Sequence, residues 1–166
     1  MIGYTILDNN GKFVDIGHLD LKNLESFFIK IDYFKKFIKT DPAFRVEARN
    51  YFYVEEPLKA FKQNSSMAQT LALLQRFNAV CCYIIYDFFD VEPVMIHSNT
   101  ARSRVGLKIP RTEATKPYIL DFVKKMNIIP ETKWAYKKTG TPKDWCFDQA
   151  DSFVIARAGY IMNEYK

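Results

Sequence analysis

Histidine is scarce in this chain, with only His18 and His97, and its three cysteines (Cys81, Cys82 and Cys146) include no C-x-x-C pair. A structural zinc site needs four such ligands at short spacings, so the sequence offers none. Adjacent Cys81 and Cys82 lie in the apolar run 79–86 and read as small buried thiols. The six glycines are scattered singly, so there is no Gly-rich loop to cradle nucleotide phosphates. No apolar run approaches the roughly 20 residues that cross a bilayer, and no secretory leader is recognisable. Together these absences predict a reducing, cytoplasmic setting and no membrane partner.

What is present is material for a core. The chain has 166 residues, 48% hydrophobic and 16% aromatic, which fits one globular domain and excludes a disordered class. Its net charge of +5 suits an anionic partner such as nucleic acid, although basic surfaces also occur without one.

The stretch that organises the rest is Tyr51-Phe52-Tyr53-Val54-Glu55-Glu56-Pro57. Aromatic and β-branched residues in a row predict a buried strand, which the proline ends. Two carboxylates then sit where a strand leaves its sheet, the edge at which α/β proteins bind ligands. Side chains alternate along a strand, so only one of Glu55 and Glu56 can face a site. Two ordinary surface acids would look the same.

Ahead of that strand, Ile2–Leu7, the turn Asp8-Asn9-Asn10-Gly11 and the alternating Lys12–Leu21 predict a β-hairpin, with Gly17 as a bulge. Asn23 is placed to cap a helix over Leu24–Lys39 that carries lysines on its outer side. Behind it, Ser66 and Gln69 are spaced as a capping box for a long helix with an apolar stripe from Met67 to Phe88. That stripe predicts the central packing helix against the sheet. Pro93–His97 reads as a parallel strand after a crossover.

Four cations, Arg102, Arg104, Lys108 and Arg111, then fall within ten residues among Ser, Thr, Asn and Gly. Such a loop can grip phosphates, or it can simply be a mobile basic loop. A short helix is predicted over Lys116–Met126. In Pro130–Pro142, aromatics among lysines can stack bases, or one buried Trp can pin the loop.

The last helix, predicted from Trp145 to Asn163, is apolar nearly all round yet carries Asp148 and Asp151 on one face near its start. Acids there can cap the helix and complement its dipole. Two neighbouring carboxylates on a buried helix also repel unless a cation neutralises them. With a strand-end Glu, the set is all oxygen and favours Mg²⁺ or Mn²⁺ over zinc.

The order of these segments resembles the RuvC-like Holliday junction resolvases, of ribonuclease H-like fold, over nearly the whole chain. Tyr53-Val54-Glu55-Glu56 is similar to the family's strand with a metal-binding Glu, at Glu55. Asp148-Gln149-Ala150-Asp151, followed by Ser152 to Ala156, is similar to its C-terminal Asp pair. Lys116 resembles the basic residue near the scissile phosphate, and Arg102 lies in the corresponding basic loop. The resemblance implies an α/β fold, a mixed sheet flanked by helices. It implies a homodimer, expected through the long helix, that cleaves branched DNA with two Mg²⁺ or Mn²⁺ ions. Glu55, Asp148 and Asp151 would be the metal ligands, Lys116 a catalytic cation, and Arg102, Arg104, Lys108 and Lys116 the DNA contacts.

The family's first strand carries a further Asp, and the position it would take lies ahead of Ile2. The expectation is an N-terminally incomplete domain that binds branched DNA and cleaves it poorly or not at all. Two rivals share the fold: a binding module without catalysis, and a nuclease acting on RNA. An actin-like or sugar-kinase ATPase, of another class, would need the Gly-rich loop that the sequence lacks.

Overall fold

The computed structural model describes residues 1–44, 51–57 and 65–164, the side chains of 65–67 excepted. They form a mixed α/β protein whose backbone groups into two compact units, Met1–Lys22 with Ser98–Lys166, and Asn23–His97. The expected capping residue Ser66 and the first stripe residue Met67 lie outside the described side chains.

In the first unit, β1 (Ile2–Leu7) and β2 (Phe13–Leu19) pair antiparallel. The turn between them forms because Asp8 Oδ1 accepts from the Asn10 and Lys12 N–H groups, both at 2.8 Å, and because Gly11 takes φ +71°. Gly17 is not a bulge. It pairs in register with Tyr4, and the irregularity falls at Ile6/Leu7 instead. The glycine is there for space: an added Cβ would lie 2.4 Å from the Tyr4 hydroxyl oxygen, so the tyrosine ring covers it.

The helix α5 (Asp144–Glu164) packs on β1 and also meets α3 (Ser98–Arg104) and α4 (Thr115–Lys125). Burial of Phe153, Ile16, Ile119, Val123 and Cys146 makes this hairpin-and-helix layer the core of the unit. Fully burying a side chain of that size stabilises by about 1.5–3 kcal/mol.

The basic stretch that reads as a loop is helical, as α3. Only Ala101 of that helix is buried, so no apolar period announces it. Its end is clear in outline. Gly106 N–H donates to Ser103 C=O at 3.1 Å and Leu107 N–H to Arg102 C=O at 2.8 Å, with Gly106 at φ +77°. That pair of bonds is a Schellman cap, and Leu107 drops into the core behind it. Gly106→Ala should cost about 1–2 kcal/mol through backbone strain alone, since its Cβ meets no atom within 4 Å. Gly106→Asn should cost less, because Asn tolerates this conformation. Equal melting temperatures for Gly106→Ala and the parent would refute the cap.

The second unit contains α1 (Phe27–Thr40), capped by Ser26, whose Oγ accepts from Ile29 N–H at 3.1 Å; Asn23 is not the cap. Phe34 and Ile38 are its buried residues. It packs against α2 (Ser65–Phe89). The apolar stripe of α2 is only partly buried: Cys81 and Ile85 are inside, Leu74 and Phe88 outside. Burial of Cys81 pushes its thiol up to about 12, as an inert thiol requires. β3 (Tyr53–Glu55) and β4 (Val94–Ile96) pair parallel, as a crossover helix demands. β3 is shorter and less buried than its aromatic run predicts, with Tyr51 exposed outside it.

Candidate functional site

The carboxylate pair of α5 does not occupy the cap. The helix starts at Asp144, which holds the first turn and is engaged by Lys137 at 2.9 Å and Lys22 at 3.9 Å. The hydrogen bond from Lys137 lowers the Asp144 carboxyl below its ordinary range. Asp148 and Asp151 follow one and two turns later, both half-buried. Capping and dipole compensation, which act within the first turn, therefore explain Asp144 and not this pair.

Asp148 is positioned by backbone contact. The α5 backbone at Asp148 lies so close to β1 that a Cβ on Gly3 would sit 2.1 Å from the Asp148 carbonyl oxygen. One turn on, Ser152 Oγ shares a 2.8 Å hydrogen bond with Thr5 Oγ1 and donates to Gln149 C=O at 2.7 Å. Lys116, second residue of α4, brings its ammonium 3.1 Å from Asp148 Oδ1. The lysine is mostly exposed, so the pair stabilises by on the order of 1 kcal/mol or less. Its importance is electrostatic placement: a cation faces Asp148.

Two neighbours escape sequence reasoning. His18 stacks on Trp145, ring centroids 4.3 Å apart at 11°. Burial lowers its pKa, opposed by the charges of Asp20 and Asp148 and assisted by Lys143. The charge of Asp148 is thus felt at His18. Gln149 is 3% exposed, and its Oε1 accepts no hydrogen bond among the described residues. Neither feature has a local signal, since each depends on strands and helices far apart in the chain.

Of the expected nucleic-acid contacts, Arg102 is half-buried on α3 beside Asn99 Oδ1 (3.4 Å), while Arg104 and Lys108 are exposed. Trp134 is buried and pins its loop, so it is no stacking platform; Tyr136 is exposed.

Glu55 belongs to the second unit, at the end of β3, where its side chain is exposed and its carbonyl accepts from Asn78 Nδ2 at 3.1 Å. Glu56 is half-buried, and its N–H donates to Ile96 C=O at 2.9 Å. Asp148, Asp151, Lys116 and the three loop cations all belong to the first unit. Among the described residues no group of three or more His, Cys, Asp or Glu is gathered to hold a metal ion. Asp8 is committed to the hairpin turn through its Oδ1. Among the described residues no helix is long and apolar enough to cross a membrane.

No family model, curated protein or solved structure matches the chain.

Proposed function

We propose that the chain is a metal-dependent, structure-selective endonuclease of the RuvC-like, ribonuclease H-like type, acting on branched DNA such as a Holliday junction. The observation that carries this reading is the Asp148–Asp151 pair: two half-buried carboxylates off the cap positions, the first of them faced by the ammonium of Lys116. The described strands form two separate two-stranded sheets, an antiparallel hairpin and a parallel pair, which agree with an α/β class.

The donor set fits a hard divalent cation. It consists of oxygen atoms, and its two carboxylates share a helix face. Asp148 and Asp151 would hold Mg²⁺ or Mn²⁺; the sequence resemblance also assigns Glu55 a ligand's role. When bound, the ion supplies charge neutralisation at a phosphate and a more acidic water. Lys116 offsets the charge of Asp148, and with 58% of its side chain exposed its ammonium is accessible to an arriving phosphate. Arg102, Arg104 and Lys108 hold strand phosphates through charge, which makes affinity fall with salt. A homodimer through α2 suits its exposed Leu73, Leu74, Tyr83 and Tyr86.

One observation favours a second reading, a binding module without catalysis: Lys116 already neutralises Asp148, and the described residues gather no three-ligand group. A gel-shift of a four-way DNA junction beside linear duplex and an RNA junction, run with a nicking assay in Mg²⁺, Mn²⁺ or EDTA, separates these. Salt-sensitive preference for the DNA junction is expected, with weak nicking that depends on the metal. Preference without nicking selects the binding module. Equal affinity for duplex and junction refutes both, and nicking that survives EDTA refutes the metal.

A further inference from the structure

Between the end of α3 and the start of α4 lies an open cavity of about 400 Å³, wholly within the first unit. At about 30 Å³ per water it has room for roughly a dozen, far more than one phosphate group fills. It falls in the lower part of the size range of small-molecule sites, about 300–1,000 Å³. The Schellman turn at Gly106 makes it, by sending the chain back so that the segment 107–113 faces the end of α3.

Its lining is lopsided in charge. Arg102, Lys108 and Arg111 border it against the single carboxylate of Glu113, leaving an excess of two positive charges. None of the three cations forms an ion pair among the described residues. Cations left unpaired around a concavity are poised for an anion from outside. The first turn of α4 adds to the positive field, since Thr115 borders the cavity and Ala114 supplies no side-chain cap. The remaining wall is apolar, from Leu107, Ile109 and Pro110.

We infer that this cavity binds a phosphate monoester of nucleotide size. A monoester carries about −1.5 to −2 charges near pH 7, which matches the excess of two, whereas an internal phosphodiester carries one. Planar guanidinium groups at Arg102 and Arg111 suit the tetrahedral oxygens, and Lys108 adds a point charge. The sugar and base then rest against the apolar wall. Two sources share this chemistry: a free mononucleotide, and the phosphorylated end of a nucleic-acid strand. The inference extends the nucleic-acid role proposed for Arg102 and Lys108, but it requires no cleavage and no metal.

The test is calorimetry of the full chain with adenosine 5′-monophosphate, adenosine and inorganic phosphate, followed by anisotropy of a single-stranded oligonucleotide with and without a 5′-phosphate. The monophosphate should bind about tenfold or more tightly than adenosine or phosphate alone. Arg111→Ala should weaken it by about tenfold with no change in melting temperature, because Arg111 is exposed. Arg111→Lys should recover part of the loss. Lys125→Ala, in the last turn of α4 and outside the cavity, should change nothing.

A 5′-phosphate that strengthens oligonucleotide binding assigns the site to strand ends; monophosphate binding without that effect assigns it to free nucleotide. A monophosphate that binds no better than adenosine, or is indifferent to Arg111→Ala, overturns the inference. Junction binding that survives that result leaves the nuclease reading standing. Monophosphate binding without junction binding sinks the nuclease and keeps the cavity.

Discussion

Asp148→Asn and Asp151→Asn are each expected to lower metal-supported junction cutting by about a hundredfold or more, while junction affinity stays equal or rises. Loss of groups that merely orient a metal ligand costs about 10–100-fold, so loss of a ligand itself should cost at least the upper figure. Affinity should hold because each substitution removes a negative charge that faces phosphate. The fold should hold too: Asp148 gives up one ion pair with a mostly exposed lysine, on the order of 1 kcal/mol or less. Mn²⁺ affinity, read by electron paramagnetic resonance, should fall in both variants whatever the turnover of the parent. Glu55→Gln should behave like them and Glu56→Gln should be mild. The decisive comparison is Lys116→Ala. If Lys116 serves phosphate, its loss weakens junction binding and leaves an uncompensated Asp148; if it is only the structural partner of Asp148, the asparagine and alanine variants lose nothing but a little stability. Unchanged Mn²⁺ affinity in Asp148→Asn and Asp151→Asn would remove the metal from the proposal.

The parts of this architecture that were legible are those whose cause is local. Asp8, Asn10 and Gly11 specify their own turn through bonds spanning at most four residues, so the hairpin follows from a short string. The parallel pairing of β3 with β4 follows from a long helix between two short apolar runs. Ser26 and Asn23 are equally good caps on paper; what selects Ser26 is where Phe34 and Ile38 must point to be buried. The segment of α3 reads as a loop because polar and small residues give no hydrophobic period, and its stop signal, Gly106, reads equally well as loop composition.

The candidate site divides in the same way. That Asp148 and Asp151 share a face is readable from their spacing, but whether they cap the helix depends on where it starts, and that start is Asp144, one residue ahead of Trp145. Lys116 beside Asp148, and His18 stacked on Trp145, join residues 32 and 127 positions apart. No periodicity encodes such pairs; they arise from how α4, α5 and the hairpin pack. Strand alternation separates Glu55 from Glu56, yet exposure of the first and half-burial of the second come from what covers the strand end.

Gly3→Ala is expected to be among the most damaging single-methyl changes in the described residues, lowering stability by about 1–3 kcal/mol or more. β1 and α5 touch backbone to backbone here. A Cβ on residue 3 would lie 2.1 Å from the Asp148 carbonyl oxygen, 2.5 Å from its carbon and 2.9 Å from the Gln149 nitrogen. None of those atoms can rotate aside, so the helix must lift from the strand or the strand must shift in its hairpin. Lifting stretches the 2.8 Å Thr5–Ser152 bond and loosens the packing of Phe153. Gly17→Ala is the matched control: its Cβ meets the ring and hydroxyl of Tyr4, a side chain that can swing away, so the cost should be smaller. For a chain of this length 1 kcal/mol is worth about 2–4 °C, so Gly3→Ala should melt roughly 2–12 °C below the parent. Total stabilities are about 5–15 kcal/mol, so the variant should still fold in the cold. There it should show a second defect. Because the same contact sets the position of Asp148, Gly3→Ala should bind Mn²⁺ and cut junctions less well than Gly17→Ala at a temperature where both are fully folded. A melting temperature within about a degree of the parent would mean that β1 and α5 do not approach as described, and the carboxylate pair would lose the support that holds it in place.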